Sequence, residues 1–241
     1  MNNKEIAQKT FEHYDGKEIP KTEYYSPEYE FDLPELVYYG DTPSQTTIMD
    51  TANGLLERLQ ENDIGKIAVL NFASAKYPGG GWLGGANAQE EALCRTSNLY
   101  FSINSVPEYY ETGRKAGVDY TDAIIYSEDV EFWLNDKGEE LGTPYKVDVI
   151  TCACPNAKAN KGQMFDFDVY VQRLRKIIRV AEMHGVDTLL LGSWGCGVFG
   201  NDTMTIKEAI NQALTGARTI KKVYHSIPVP ARTYLIFGSM D

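Results

Sequence analysis

Positive charge is scarce in this sequence. Among 241 residues, 23 Lys and Arg stand against 34 Asp and Glu, a formal net charge of −11 at pH 7. Duplex nucleic acid and anionic lipid are gripped mainly by Lys and Arg, so neither is an expected partner. Histidine is scarcer still, and His13, His184 and His225 lie far apart. The four cysteines, Cys94, Cys152, Cys154 and Cys196, offer at most a C-x-C, not the C-x-x-C or Cys/His spacing of a zinc site. The expectation is therefore no metal and no cofactor. Long apolar runs are missing: the most apolar stretch, residues 186–194, is strand-sized and far short of a membrane span. Residues 1–10 hold no apolar signal-peptide core. Together these features predict a monomeric, cytoplasmic chain with reduced thiols. The absence of G-x-x-x-x-G-K-[ST] excludes a P-loop NTPase.

What is present is ordinary globular composition, 43% apolar and 24% charged, in a chain long enough for one well-filled core. Residues 1–40 read as an N-terminal extension packed on a domain of residues 41–241. A polar helix over 3–14 is followed by a stretch with Pro20, Tyr24, Tyr25, Pro27, Tyr29 and Pro34, whose prolines favour extended or turn backbone. Beyond it, strands and helices alternate. A helix is predicted over 45–61, with Ser44 as N-cap and Ile48, Leu55, Leu56 and Leu59 on one face. A buried strand over 66–72 leads into a glycine-rich loop and a helix over 89–101. Short strands over 123–126 and 130–133, a turn at 135–138 and a strand over 145–152 follow. A helix over 167–184, a strand over 186–193, a helix over 203–214 and strand-like runs at 222–229 and 233–237 complete the pattern. It implies an α/β sandwich on a mixed or mostly parallel sheet. Ligands in such sheets sit at the carboxyl ends of strands, and both glycine-rich loops follow strands directly.

The first loop runs from Asn71 through Pro78, Gly79, Gly80 and Gly81 to Gln89, Glu90 and Glu91. Consecutive glycines let backbone N–H groups approach a ligand, and the helix that follows aims a partial positive charge at an anion. The loop therefore reads as a phosphate or diphosphate cradle. Glu90 and Glu91 fall in the first turn of that helix, seven residues after the glycines. A diphosphate in the loop would set a sugar against them. Neighbours on a helix point about 100° apart, so one can hold sugar hydroxyls while the other protonates a leaving oxygen, as glycosidic cleavage requires. A helix N-terminus lowers a glutamate pKa, whereas a proton donor wants it raised, as an adjacent carboxylate would do.

The second loop, Gly192 to Asp202, contains a literal G-x-G-x-x-G at Gly195, Gly197 and Gly200. The dinucleotide fingerprint also wants an acid about 20 residues on, and none occurs between Glu208 and Asp241. The loop is read instead as wrapping the diphosphate from the other side, with Phe199 flanking a ribose. Cys196 lacks a local base and reads as a small buried thiol. Trp82, Trp133 and Trp194 read as core residues, and Arg173, Arg175, Lys176 and Arg179 as a solvated helix face.

Gly79-Gly80-Gly81, seven residues, then Gln89-Glu90-Glu91, together with the loop from Leu191 to Asn201, resembles the microbial-type branch of the poly(ADP-ribose) glycohydrolases. The resemblance covers most of residues 40–240. It implies a three-layer α/β/α macrodomain that binds ADP-ribose, or poly(ADP-ribose) on modified proteins, and hydrolyses the ribose–ribose bond. It implies Glu91 as the acid that protonates the leaving oxygen, Glu90 on the ribose hydroxyls, and Gln89 and Asn71 shaping the site. It places Gly79 to Gly81 and Gly195, Cys196, Gly197, Val198, Phe199 and Gly200 around the substrate. A non-catalytic ADP-ribose reader and a hydrolase of single ADP-ribose units stay open as alternatives.

Overall fold

A computed structural model describes residues 1–36, 41–60 and 65–227. In chain order it runs α1 (Asn3–Tyr14), β1 (Lys21–Tyr25), β2 (Ser44–Ile48), α2 (Ala52–Gln60), β3 (Ile67–Phe72), a short 3-10 turn (Trp82–Gly84) and α3 (Gln89–Thr96). Then come α4 (Leu99–Asn104), α5 (Pro107–Lys115), β4 (Ile124–Leu134), β5 (Glu140–Cys152), α6 (Phe167–Met183), β6 (Thr188–Gly192), α7 (Thr203–Leu214) and β7 (Lys222–Ser226). The seven strands form one mixed sheet in the order β1-β4-β5-β3-β6-β7-β2. β1 and β4, and β4 and β5, pair antiparallel; all other pairs are parallel.

Alternation along β3 shows why the fold has three layers. Successive strand residues point to opposite faces. Ala68 and Leu70 belong to a core with α6 and α7, whereas Ile67 and Val69 belong to one with α2 to α5. Both faces of β3 are therefore apolar, as a strand covered on both sides requires. The parallel strands β3, β5, β6 and β7 end at Phe72, Cys152, Gly192 and Ser226, and that end carries both glycine-rich loops.

Several elements differ from the sequence pattern. The helix predicted over 45–61 divides: Ser44–Ile48 is the edge strand β2, and Ser44 is no cap. Thr46, Thr47 and Ile48 are β-branched, and the run pairs with β7. The helical start falls to Thr51, whose hydroxyl accepts from the Gly54 amide at 3.1 Å. The helix over 89–101 breaks at Ser97 and Asn98. Ser97 turns back to Leu93 O at 2.7 Å, and Asn98 accepts from the Glu131 amide at 2.9 Å. Such short polar side chains compete with helix hydrogen bonds. The runs 123–126 and 130–133 form one strand, β4, with a bulge between Ser127 and Val130; there Asp129 has φ 57° and its amide is held by Asp148 at 3.0 Å. The last β strand starts at Lys222 and ends at Ser226; the run at 233–237 lies outside the described residues.

The first 36 residues contribute to both sheet and site. β1 lies at the sheet edge, beside β4. α1 stands against α3 and the Trp82 turn: Thr10 donates to Arg95 O at 2.5 Å, and Phe11 lies 6.5 Å from the Trp82 ring. The basic residues of α6 are not a solvated face. Arg173 is buried and donates to Asp122, Asp119 O and Ala153 O. Lys176 pairs with Asp122, Arg175 bonds Pro34 O, and Arg179 faces Asp32 and Glu182.

Candidate active site

The site is built outward from the end of β3. Gln89, first residue of α3, clamps that end: its amide donates to Leu70 O at 2.7 Å and its oxygen accepts from the Phe72 amide at 2.8 Å. Gln89 thus spends its polar atoms fixing α3 to the sheet. That clamp sets the next two side chains in contrasting environments.

Glu90 is buried. Its Oε2 accepts from the Ser74 amide at 2.7 Å and its Oε1 from Asn71 Nδ2 at 3.4 Å. Burial pushes its carboxyl up to about 8, with the charge of Glu91 adding to the rise, against the opposing donors Ser74, Asn71 and Gly79. Asn71 also donates to Thr151 Oγ1 at 3.1 Å, and its Oδ1 is buried without a partner. Glu91, one residue on, is half-buried. Its Oε1 accepts from the Gly81 amide at 3.1 Å, while among the described residues its Oε2 has no protein donor. The two carboxylates therefore differ in access: one is locked inside, the other keeps an oxygen free.

The triple glycine wraps these carboxylates. Gly80 has φ 57°, and a Cβ there would lie 2.5 Å from Glu91 Oε1 and 3.3 Å from Glu90 Oε2. The amide of Gly80 serves Tyr77 O at 3.0 Å and that of Gly81 serves Glu91 Oε1 at 3.1 Å. Two of the three N–H groups of the cradle expected on Gly79, Gly80 and Gly81 are thus turned to the protein in this structure, one of them to an acid. Buried Arg95 braces its far end, donating to Ala86 O at 2.5 Å and Asn87 Oδ1 at 3.0 Å.

The second loop is arranged differently. Among the described residues, the amides of Gly195, Gly197, Val198 and Phe199 have no acceptor, and Gly197 and Val198 are exposed. Consecutive amides left without a protein acceptor suit an anion. The loop is nailed from beneath by Asn201, which is buried. Its Nδ2 donates to Pro155 O at 2.8 Å and Gly195 O at 3.0 Å, and its Oδ1 accepts from Tyr170 at 2.8 Å. Gly195, at φ 73°, has no room for a Cβ, which would strike Cys154 and Asn201. Trp194 is fully buried and donates to Cys152 O at 3.0 Å. Cys196 is half-buried, and burial raises its thiol to about 11. It is no activated nucleophile.

Between α2, the start of α3 and the second loop lies a cleft of about 590 Å³, within the usual range of small-molecule sites. Gly195, Gly197, Val198, Phe199, Cys154 and Trp194 line it on one side, and Asn53, Asn87, Gln89 and Ala92 on another. Glu90 and Glu91 are not among the lining residues; they stand on the same helix as Gln89 and Ala92, behind the glycines. Sequence reading missed Asn53, Ser74, Arg95 and Asn201. Asn201 had a local signal, an amide between the glycine run and the Asp202 cap of α7; Ser74 and Arg95 act through contacts no spacing announces. Among the described residues, no group of three or more His, Cys, Asp or Glu is placed to hold a metal ion, and no helix is long and apolar enough to cross a membrane.

Residues 3–135 match the family described as microbial-type PARG, catalytic domain. The chain belongs to that family. Among solved structures it is similar to poly(ADP-ribose) glycohydrolase (PARG) from Thermomonospora curvata, with 30% identity, TM-score 0.84, and coverage of 95% of this chain and 94% of that one. The structure of that organism's glycohydrolase bound to the inhibitor ADP-HPD gives 29% identity, TM-score 0.81, and 95% and 94% coverage. PARG from Deinococcus radiodurans in complex with ADP-ribose gives 31% identity, TM-score 0.76, and 93% and 92% coverage. Among curated proteins none matches. In this PARG-family chain the matched segment takes in α1, β1, the first loop and both carboxylates; the second loop lies beyond it.

Proposed function

We propose that this chain is a poly(ADP-ribose) glycohydrolase that cleaves the ribose–ribose O-glycosidic bond and releases ADP-ribose. The observation that carries the reading is the pair Glu90 and Glu91, adjacent carboxylates held by one glycine loop in opposite environments. Catalytic acids are commonly found as such pairs. A reader of ADP-ribose has no need of them.

In this mechanism the amides of Gly197, Val198 and Phe199, with Gly195 and Gly200 shaping the turn, take the diphosphate, and Phe199 flanks the distal ribose. Cys196 is a packing residue of that loop. Glu90 meets the ribose hydroxyls, and Asn71, which donates to it, helps shape the site. Gln89 positions both acids. Glu91 gives its proton to the leaving ribose oxygen as the C–O bond breaks through an oxocarbenium-like state. Its carboxylate then takes a proton from water as the water oxygen bonds to the anomeric carbon, which restores the acid. The raised pKa of Glu90 favours a second reading in which Glu90 is the donor, since it holds a proton near neutral pH; single Gln variants separate the two.

We also read the fold as a macrodomain of residues 41–241 with residues 1–40 as its extension, acting as a cytoplasmic monomer on ADP-ribosylated proteins. Incubation with poly(ADP-ribose) should release free ADP-ribose. Tight ADP-ribose binding without release would make the chain a reader. Release from singly modified protein alone would make it a mono-ADP-ribosyl hydrolase.

A further inference from the structure

Although acids outnumber bases in this chain, exposed cations without carboxylate partners among the described residues are linked to Phe199, which lines the cleft. Lys76, Arg114 and Lys158 are exposed, and among the described residues none forms an ion pair. They are joined by short links. Arg114 donates to Lys76 O at 2.8 Å, Lys76 Nζ stands 6.0 Å from the centroid of the Tyr120 ring, and that ring lies 5.7 Å from Phe199. The Lys158 amide donates to Phe199 O at 2.8 Å. These residues therefore form a band from the first loop to the second.

Tyr120 is the odd member. Its backbone has φ 59°, a conformation costly for an aromatic residue, and its hydroxyl accepts from Asn156 Nδ2 at 3.2 Å. Phe199 faces the cleft; Tyr120 packs against that ring without lining the cleft. The band also starts beside the acids. The Lys76 amide donates to Ser74 Oγ at 3.2 Å, and the Ser74 amide holds Glu90. The part of the substrate that is not released must emerge next to those carboxylates.

We propose that this band is a subsite for the ADP-ribose unit adjoining the one released, with its diphosphate on Lys76 and Lys158 and its adenine on the Tyr120 ring. The inference rests on the glycohydrolase reading and sharpens it. Lysines and an aromatic face suit a flexible polyanion that carries a purine in every unit, and a single ADP-ribose on a protein side chain offers neither a second diphosphate nor a second purine. The substrate class is therefore the polymer.

The test measures affinity for ADP-ribose and for short poly(ADP-ribose) in a Glu91→Gln background, so that the polymer is not consumed. Two variants are added to it: Tyr120→Asn, which suits the left-handed backbone and removes the ring, and the pair Lys76→Met and Lys158→Met. Tyr120→Asn should weaken polymer binding about tenfold, and Tyr120→Phe should restore it. The lysine pair should lower the salt dependence of polymer binding by about two phosphate contacts. ADP-ribose affinity should stay within about twofold in all, which also reports an intact fold. Equal losses for ADP-ribose and polymer, or no loss for either, would overturn the subsite. Turnover by the native chain reports separately on the parent reading: a chain that releases nothing yet shows the polymer-selective losses keeps the subsite and loses the glycohydrolase.

Discussion

The two glycine-rich loops have similar composition, similar positions after parallel strands, and opposite uses of their backbone. In the first, the N–H groups of Gly80 and Gly81 are turned onto Tyr77 and Glu91. In the second, the amides of Gly197, Val198 and Phe199 have no protein acceptor among the described residues, while Asn201 and Trp194 fix the loop from below. On the proposed mechanism the first loop sets the chemistry and the second the grip. Glycine content alone does not distinguish them. What distinguishes them is the neighbour: the helix after the first loop carries two carboxylates in its first turn, whereas the second loop ends on a single carboxylate, Asp202, which is spent on capping α7 through Thr205.

Changes in the two loops should accordingly separate turnover from affinity. Apart from replacing the acids themselves, the largest effect expected is on kcat for Gly80→Ala. The added Cβ meets Glu91 Oε1 at 2.5 Å in a backbone with φ 57°, and displacing a catalytic group by about 1 Å costs on the order of a hundredfold in rate. ADP-ribose affinity, by calorimetry, should stay within about threefold. A variant that loses affinity at unchanged kcat would make the first loop the cradle after all.

Asn201→Ala reverses that pattern. It strands the Tyr170 hydroxyl and two carbonyls, at a cost of about 1–3 kcal/mol in stability, measurable by urea unfolding. ADP-ribose affinity should fall about tenfold as the second loop loosens, while kcat at saturating substrate changes little. Unchanged affinity would place the anion elsewhere.

A third effect, on stability alone, is a pH dependence centred on Glu90. Its folded pKa, about 8, lies above the ordinary 4.5, so the folded state keeps a proton that the unfolded chain has released. The resulting cost is absent below about 4.5, grows as pH rises and is complete above about 8. Glu90→Gln removes it, since an amide does not ionise in this range. Between pH 6 and 9, wild-type Tm should fall more steeply than that of the variant; parallel curves would mean Glu90 titrates in its ordinary range.

Much of this was legible in sequence for a physical reason. β3, β6, α6 and α7 bury strongly patterned apolar residues, and α1 has Asn2 and Glu5 as a capping box; local signals suffice for such elements. Both loops stood out because glycine runs are rare, and Glu90 and Glu91 stood out from the chain's other adjacent acids by their spacing from the triple glycine. The rest depended on distant partners. β2 is a polar edge strand whose register comes from β7, and Ile48 with the leucines of α2 imitates a longer helix. α5 and β1 have weak apolar patterns. The engagement of the first loop's amides was hidden because it depends on where α3 folds back, and the grouping of Lys76 with Tyr120 joins residues 44 positions apart.

The most direct test of the account compares Glu91→Gln and Glu90→Gln for ADP-ribose release from poly(ADP-ribose), with ADP-ribose affinity measured alongside. The account predicts that Glu91→Gln loses turnover by about 10³-fold and keeps affinity within about tenfold, and that Glu90→Gln binds ADP-ribose more weakly yet retains measurable release. An active Glu91→Gln beside an inactive Glu90→Gln would contradict it and move the proton to the buried acid.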